Sequence, residues 1–292
     1  MLIDCHQHTN WGGHDCDAVV ADMDRAGIDL AWLLTWEVPE AEFDPYYLST
    51  FDPRHSGLPF SDVVEACRRH PKRFVPGYAP DPRRPDAIER LESAVKTFGV
   101  RVYGELKVRI VVDDPDALCV FRRCGELGLP VLLHIDVPAK ERPKLPARDY
   151  WYCVDLDRLE RVMELCPETV FIGHAPGFWR HVSADGYTAE GAYPAGPVSP
   201  GGRLPELLAK CPRLYADVSA NSGLKALERH GPAGARQFLV DHQDKVLFGR
   251  DGFDNRLADY LRTLDLPGEV WDKVTHRNAL RLVPPGRSGA PT

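Results

Sequence analysis

No segment of the 292-residue chain approaches the continuous apolar length needed to cross a bilayer, so no membrane-spanning role is expected. Runs of lysine and arginine are missing as well. With 36 basic against 43 acidic residues and a net charge of −7, there is no positive stripe to neutralise phosphates, which speaks against nucleic acid or an anionic membrane as partner. The opening Met1-Leu2-Ile3-Asp4-Cys5-His6 lacks the basic-then-apolar pattern of a secretory leader, and a cytoplasmic location is expected. The eight cysteines (Cys5, Cys16, Cys67, Cys119, Cys124, Cys153, Cys166 and Cys211) are then expected as reduced, mostly buried thiols rather than a disulfide framework. Absent too is the glycine-rich phosphate loop that follows the first strand of an open dinucleotide-binding sheet; here that stretch reads His6-Gln7-His8-Thr9-Asn10-Trp11-Gly12-Gly13. A small-molecule partner is what these absences leave, with self-association an open alternative.

The composition, 43% hydrophobic and 27% charged, is that of an ordinary globular protein. Short apolar, β-branched runs alternate with amphipathic stretches along the whole chain, the pattern of repeated strand–helix units in a parallel sheet. Eight strands are expected: Leu2–His6, Leu30–Trp36, Arg73–Tyr78, Arg101–Val108, Pro130–Val137, Thr169–His174, Arg213–Ser219 and Lys245–Asp251. Helix punctuation agrees, as where Asp113-Asp114-Pro115 opens a helix that Gly128 closes ahead of the fifth strand. Eight such units point to an α/β fold of the (β/α)8 barrel type, one domain over residues 1–292 with a disordered tail from about residue 284. Three connections are long, Glu37–Leu58, Asp136–Tyr152 and Ala175–Gly202, and all follow strands at the face where barrel active sites sit. Their aromatic and charged residues suit a substrate pocket; Trp11, Arg148, Trp179 and Arg180 are the candidate contacts.

His6 and His8 stand one residue apart at the end of strand one, and the two-residue period of a strand sends both imidazoles to one face. Such a nitrogen pair suits zinc. His134, His174 and Asp251 each end an apolar run on strands five, six and eight. Single strand-end histidines are commonly structural, but five ligand-type residues converging on one barrel mouth argue for a metal centre. On strand four, alternation puts Glu105 and Lys107 on a common face, as a buried charge pair or with Lys107 holding a substrate carboxylate. Asp217, Ser219, Asn221 and Ser222 are candidate hydrogen-bonding groups at the mouth. Arg250 should point away from it in an ion pair, and His14, His55, His181, His230 and His276 are expected on loops or the surface.

The segments Ile3-Asp4-Cys5-His6-Gln7-His8, Pro130 to His134, Phe171 to Gly177, Leu247-Phe248-Gly249-Arg250-Asp251 and Asn278 to Leu282 together resemble the amidohydrolase superfamily, in its amidohydrolase-related branch, over nearly the whole chain. The resemblance implies that His6, His8, His134 and Asp251 ligate a divalent metal, zinc in first place, as one ion or two. It implies that His174 either orients substrate and stabilises developing charge or joins a second metal, and that Glu105 or a carbamylated Lys107 bridges two ions. The reaction it implies is hydrolysis of a small amide, lactone or ester by activated water, with Asp251 as general base. Relatives with this ligand set also include nonoxidative decarboxylases and hydratases. A lyase of that kind needs cations for a carboxylate, and Lys107, Arg109, Arg148 and Arg180 are available.

Overall fold

In the computed structural model, which describes residues 1–39, 42, 51, 57–137 and 152–284, eight parallel strands close into a barrel. The strands are β1 (Ile3–Gln7), β2 (Leu30–Leu33), β3 (Phe74–Pro76), β4 (Tyr103–Leu106), β5 (Val131–His134), β6 (Phe171–His174), β7 (Leu214–Asp217) and β8 (Val246–Leu247). Between and after them come α1 (Cys16–Ala26), α2 (Phe60–Arg69), α3 (Ala87–Phe98), α4 (Pro115–Leu127), α5 (Leu156–Leu165), α6 (Pro176–Trp179), α7 (Arg203–Lys210), α8 (Ala220–Arg229), α9 (Gly231–Asp241), α10 (Arg256–Thr263), α11 (Gly268–Asp272) and α12 (Asn278–Leu282). As expected, α4 opens with the Asp114 carboxylate accepting from the Asp116 amide and Pro115 in its first turn, and it ends on Gly128 at φ 68°. Two seams complete the ring. Gly77 bridges Val102 between β3 and β4, and the Cys5 amide donates to the Phe248 carbonyl at 3.0 Å between β1 and β8. The C-terminal residues 285–292 and most of the second and fifth connections, with Tyr46, Tyr47, His55, Arg148 and Trp151, lie outside the described residues.

Two buried clusters separate the barrel's inside from its outside. One residue or two from each strand (Ile3, Cys5, Trp32, Leu34, Val75, Val102, Leu132, Ile172, Tyr215, Leu247) fill the interior, capped from below by Ala279 and Val283 at α12. The alternate residues, among them Leu33, Leu133 and Leu214, pack outward against the helices. Asn278 ties α12 to the bottom rim by donating to the carbonyls of Gln243 (2.7 Å) and Val246 (2.8 Å).

Strict alternation from Ile3 and Cys5 would turn His6 outward. It does not, because β1 carries a one-residue irregularity: Asp4 pairs with Ala31 but Gln7 with Leu33. Since Leu33 faces outward, Gln7 does too, and His6 and His8 face the mouth. The same device recurs in β4, where Tyr103 pairs with Val131 but Leu106 with Leu133, and Glu105 is delivered inward. The long sixth connection is ordered rather than a simple lid, built from α6 and short 3-10 turns over Arg180–Val182 and Ala184–Tyr187.

Arg250 makes the ion pairs anticipated for it, donating to Asp4 Oδ2 at 2.8 Å and Asp22 Oδ2 at 2.7 Å, all three side chains buried. Arg250→Met leaves the buried Asp4 carboxylate without its cation and Asp22 with only Arg25 beside it, and a loss of about 3–5 kcal/mol in urea denaturation is expected. A loss under about 1 kcal/mol would mean the pair contributes little to holding β8 on β1.

All eight cysteines are free thiols, five of them buried, and only Cys119 is exposed. Burial pushes the Cys67 and Cys153 thiols up to about 12, which makes them poor nucleophiles. Among the described residues no helix is long and apolar enough to cross a membrane.

Candidate metal centre

The strand ends bring four histidines, His6, His8, His134 and His174, and the carboxylates of Glu105 and Asp251 into one cluster at the mouth. His6 Nε2 is 3.2 Å from His8 Nε2. Asp251 Oδ1 is 3.7 Å from the first and 3.5 Å from the second. Glu105 Oε2 completes the set at 3.7 Å from His6 Nε2 and 3.5 Å from His8 Nε2. A tetrahedral ion with bonds of about 2.0–2.2 Å holds its donor atoms about 3.3–3.6 Å apart, so His6 Nε2, His8 Nε2 and Asp251 Oδ1 stand close to ligand spacing, with Glu105 Oε2 as near to both nitrogens as Asp251 is.

Proton accounting shows why a cation fits there. His8 Nδ1 faces the Leu34 carbonyl at 3.0 Å, an acceptor only, so that nitrogen carries the hydrogen. His6 Nδ1 likewise faces the Asp217 carboxylate at 2.7 Å. Both Nε2 atoms are then bare lone pairs, aimed at each other and at two carboxylates. Four acceptors with no donor among them call for a cation or for protons. The field says the same: burial opposes charge on His6, but Asp251, Asp217 and Glu105 outweigh it and raise its pKa well above the usual imidazole range.

A second group adjoins the first through Glu105. His134 Nδ1 sits 2.5 Å from Glu105 Oε1, and His174 Nε2 lies 4.0 Å from the same oxygen and 3.6 Å from Asp251 Oδ2. His134 falls in a group with Glu105 and His174 rather than with His6, His8 and Asp251, so the ligand set that the resemblance implies is divided between two neighbouring groups. Burial would raise the Glu105 carboxyl, yet His134, Lys107 and His6 hold it well below the usual range, so it is ionised and able to face both groups.

Asp251 is the accessible member, its side chain 22% exposed against 4% or less for His6, His8 and His174. It sits in the left-handed region at φ 51°, its amide donating to the His6 carbonyl at 2.8 Å. Such a conformation costs about 1–3 kcal/mol in a non-glycine residue and persists only where surroundings impose it.

The wall beside His8 is aromatic. Trp36, Phe51, Leu58 and Tyr152 form a cluster with Trp11 against it, the Trp11 ring 6.2 Å from that of His8. Lys107 Nζ lies 4.0 Å over the Trp36 ring, beside this wall, and its charge helps keep Glu105 ionised. Two expectations are corrected. Trp179 is a core residue, 1% exposed against Phe178 and Phe238, with its indole donating to the Asp217 carbonyl at 2.8 Å. Arg180 is buried and donates to the Ala189 carbonyl at 2.5 Å within its own loop. His181 lies on the same connection, as expected of a loop histidine, and is buried there. What the sequence reading passed over is the share of Asp217 and Ser219 in orienting the histidines; the signal was the polar pair ending β7 in register with the other strand ends.

A family model described as "Amidohydrolase" matches residues 3–284. No curated protein sequence matches. Among solved structures, an amidohydrolase from Burkholderia multivorans with bound zinc superposes with a TM-score of 0.61 at 14% identity, covering 97% of this chain and 98% of that one. A 2,6-dihydroxybenzoate decarboxylase from Rhizobium gives 0.58 at 16% identity, covering 96% and 98%. A protein from Acinetobacter baumannii assigned as a 2-pyrone-4,6-dicarboxylic acid hydrolase gives 0.57 at 12% identity, also covering 96% and 98%.

Proposed function

The chain belongs to the amidohydrolase family, and from that premise we propose that it is a metal-dependent hydrolase acting on an amide, lactone or ester bond of a small carboxylated molecule. The observation that carries the proposal is the set of four acceptors, His6 Nε2 and His8 Nε2 3.2 Å apart, with Asp251 Oδ1 and Glu105 Oε2 each 3.5 to 3.7 Å from both nitrogens. These residues would hold a first ion, and Glu105, His134 and His174 offer a place for a second. Zinc suits the nitrogen and oxygen donors; when bound, it polarises the carbonyl under attack and acidifies water.

The chain's own groups divide the remaining work. Burial alone would raise the Asp251 carboxyl, but His6, His174 and His8 hold it at about 2, so it is ionised at neutral pH. Reachable from the mouth, Asp251 takes the proton of the attacking water and returns it to the leaving group. His174, with Nε2 toward Asp251 Oδ2, stabilises charge growing on the carbonyl oxygen. Trp11, Trp36 and Tyr152 flank the substrate while Lys107 attracts its carboxylate.

Lys107 also favours a second reading, nonoxidative decarboxylation, since a lyase must hold a carboxylate beside its metal. Proteins sharing this fold include both a hydrolase and a decarboxylase of carboxylated ring compounds. The test is elemental analysis of protein purified without added metal, followed by assays on lactones, N-acyl compounds and aromatic acids with carbon dioxide measured separately. One or two metal ions per chain and acid release without carbon dioxide are expected. Carbon dioxide as product selects the lyase, and a protein that neither contains nor gains metal sinks both readings.

A further inference from the structure

Behind the histidines stands a polar node that faces away from the mouth. Asp217, at the end of β7, is fully buried, and its Oδ2 receives two donors: His6 Nδ1 at 2.7 Å and the Ser219 hydroxyl at 2.9 Å. Its Oδ1 accepts the Ser219 amide at 2.9 Å. His174 Nδ1 lies 3.0 Å from Ser219 Oγ and 3.2 Å from Asp217 Oδ2. A hydroxyl has one hydrogen to give. With that hydrogen on Asp217, Ser219 can only accept from His174, which puts a hydrogen on His174 Nδ1 and leaves its Nε2 bare. His6 reaches the same tautomer by direct contact with the carboxylate.

The surroundings are shaped for this node. A Cβ on Gly249 would come within 2.8 Å of Asp217 Oδ1, 3.0 Å of His6 Cβ and 3.1 Å of Ser219 Cβ, so glycine alone leaves room for the three to meet. Trp179 fixes the backbone by donating to the Asp217 carbonyl. The spacing between His6 Nδ1 and Asp217 Oδ2 is that of a direct hydrogen bond, too short to seat an ion between them, which makes this the outer side of the centre.

We infer that Asp217, acting with Ser219, is a positioning residue that fixes the tautomer and aim of His6 and His174 together, and so couples the two ligand groups through a single carboxylate. This rests on the metal-centre reading. An outer carboxylate on a ligating histidine typically contributes 10–100-fold to metal affinity. Here one carboxylate serves two histidines on different strands.

Asp217→Asn keeps the size of the side chain but turns an amide toward one imidazole. At unchanged Tm, zinc affinity by chelator competition is expected to fall about 10–100-fold or more, and the visible spectrum of the cobalt-loaded variant to shift. Affinity within a few-fold of wild type together with an unaltered cobalt spectrum overturns the inference. Should the variant not fold, zinc-loaded wild-type protein with 15N-labelled histidine decides: His6 and His174 must carry a hydrogen on Nδ1, and a form of either with Nδ1 bare overturns it. Wild-type protein that takes up no metal defeats the reading of the centre itself, a result separate from the tautomer measurement.

Discussion

Replacing His6 and His8 together with alanine is expected to strip the centre of metal and abolish turnover. The two Nε2 atoms stand 3.2 Å apart and supply half of the four-atom set, both of its nitrogens. Without them the set keeps only the Asp251 and Glu105 carboxylates and no nitrogen donor of its own, an arrangement that zinc disfavours against water. The fold should survive, because both imidazoles belong to the mouth and the interior beneath them is filled independently by Ile3, Cys5, Trp32 and their neighbours. Elemental analysis of the double variant, beside a thermal melt, is the measurement. Wild-type metal content in a folded double variant would show that these histidines are not ligands.

Asp251→Asn separates holding the metal from moving the proton. The amide keeps an oxygen that can face His6 and His8, so most of the metal should stay, but the basic carboxylate is gone. A fall in kcat of about a hundred- to ten-thousand-fold is expected, toward the upper end for a group that also touches the metal. The pH dependence has a definite sign. Catalysis uses the ionised carboxyl, held at about 2, so the wild-type rate is lost as pH falls toward that value and not as it rises. His174→Asn should slow the reaction while keeping that acid limb, since it acts on the transition state rather than on the proton. An Asp251→Asn protein that holds metal and turns over within a few-fold of wild type excludes this residue as the base.

Much of the fold was legible because a barrel repeats one signal eight times: seven expected strands contain the observed ones, and the first is displaced by one residue, Ile3–Gln7 against Leu2–His6. Strand-end position was enough to gather His6, His8, His174 and Asp251. It was not enough for Glu105, because periodicity cannot reveal a one-residue irregularity. Counted from Val102, alternation turns Glu105 outward, and only the pairing of Leu106 with Leu133 shows it inside. His6 and His8 were grouped correctly, yet relative to Ile3 and Cys5 they face the mouth through the same kind of slip. Trp179 was misjudged for a different reason. An aromatic residue after a strand end can line a pocket or lock a neighbouring strand, and only the partner of its indole N–H tells the two apart.

The barrel's last seam joins the strand that begins the chain to the strand near its end. Cys5 meets Phe248 there, Asp251 meets His6, and Arg250 clasps Asp4 across 246 positions of sequence. On the proposed reading, the metal sits on that same seam, with two ligands from the first strand and one following the last. An unfolded chain cannot assemble such a set, so the ion acts as a rivet whose grip is felt only once the ring has closed. Free metal at a hundred times its dissociation constant then adds about 2.7 kcal/mol to the closed form. The chain's two ends, remote in sequence and late to meet in folding, are held together by the same atoms that would do the chemistry.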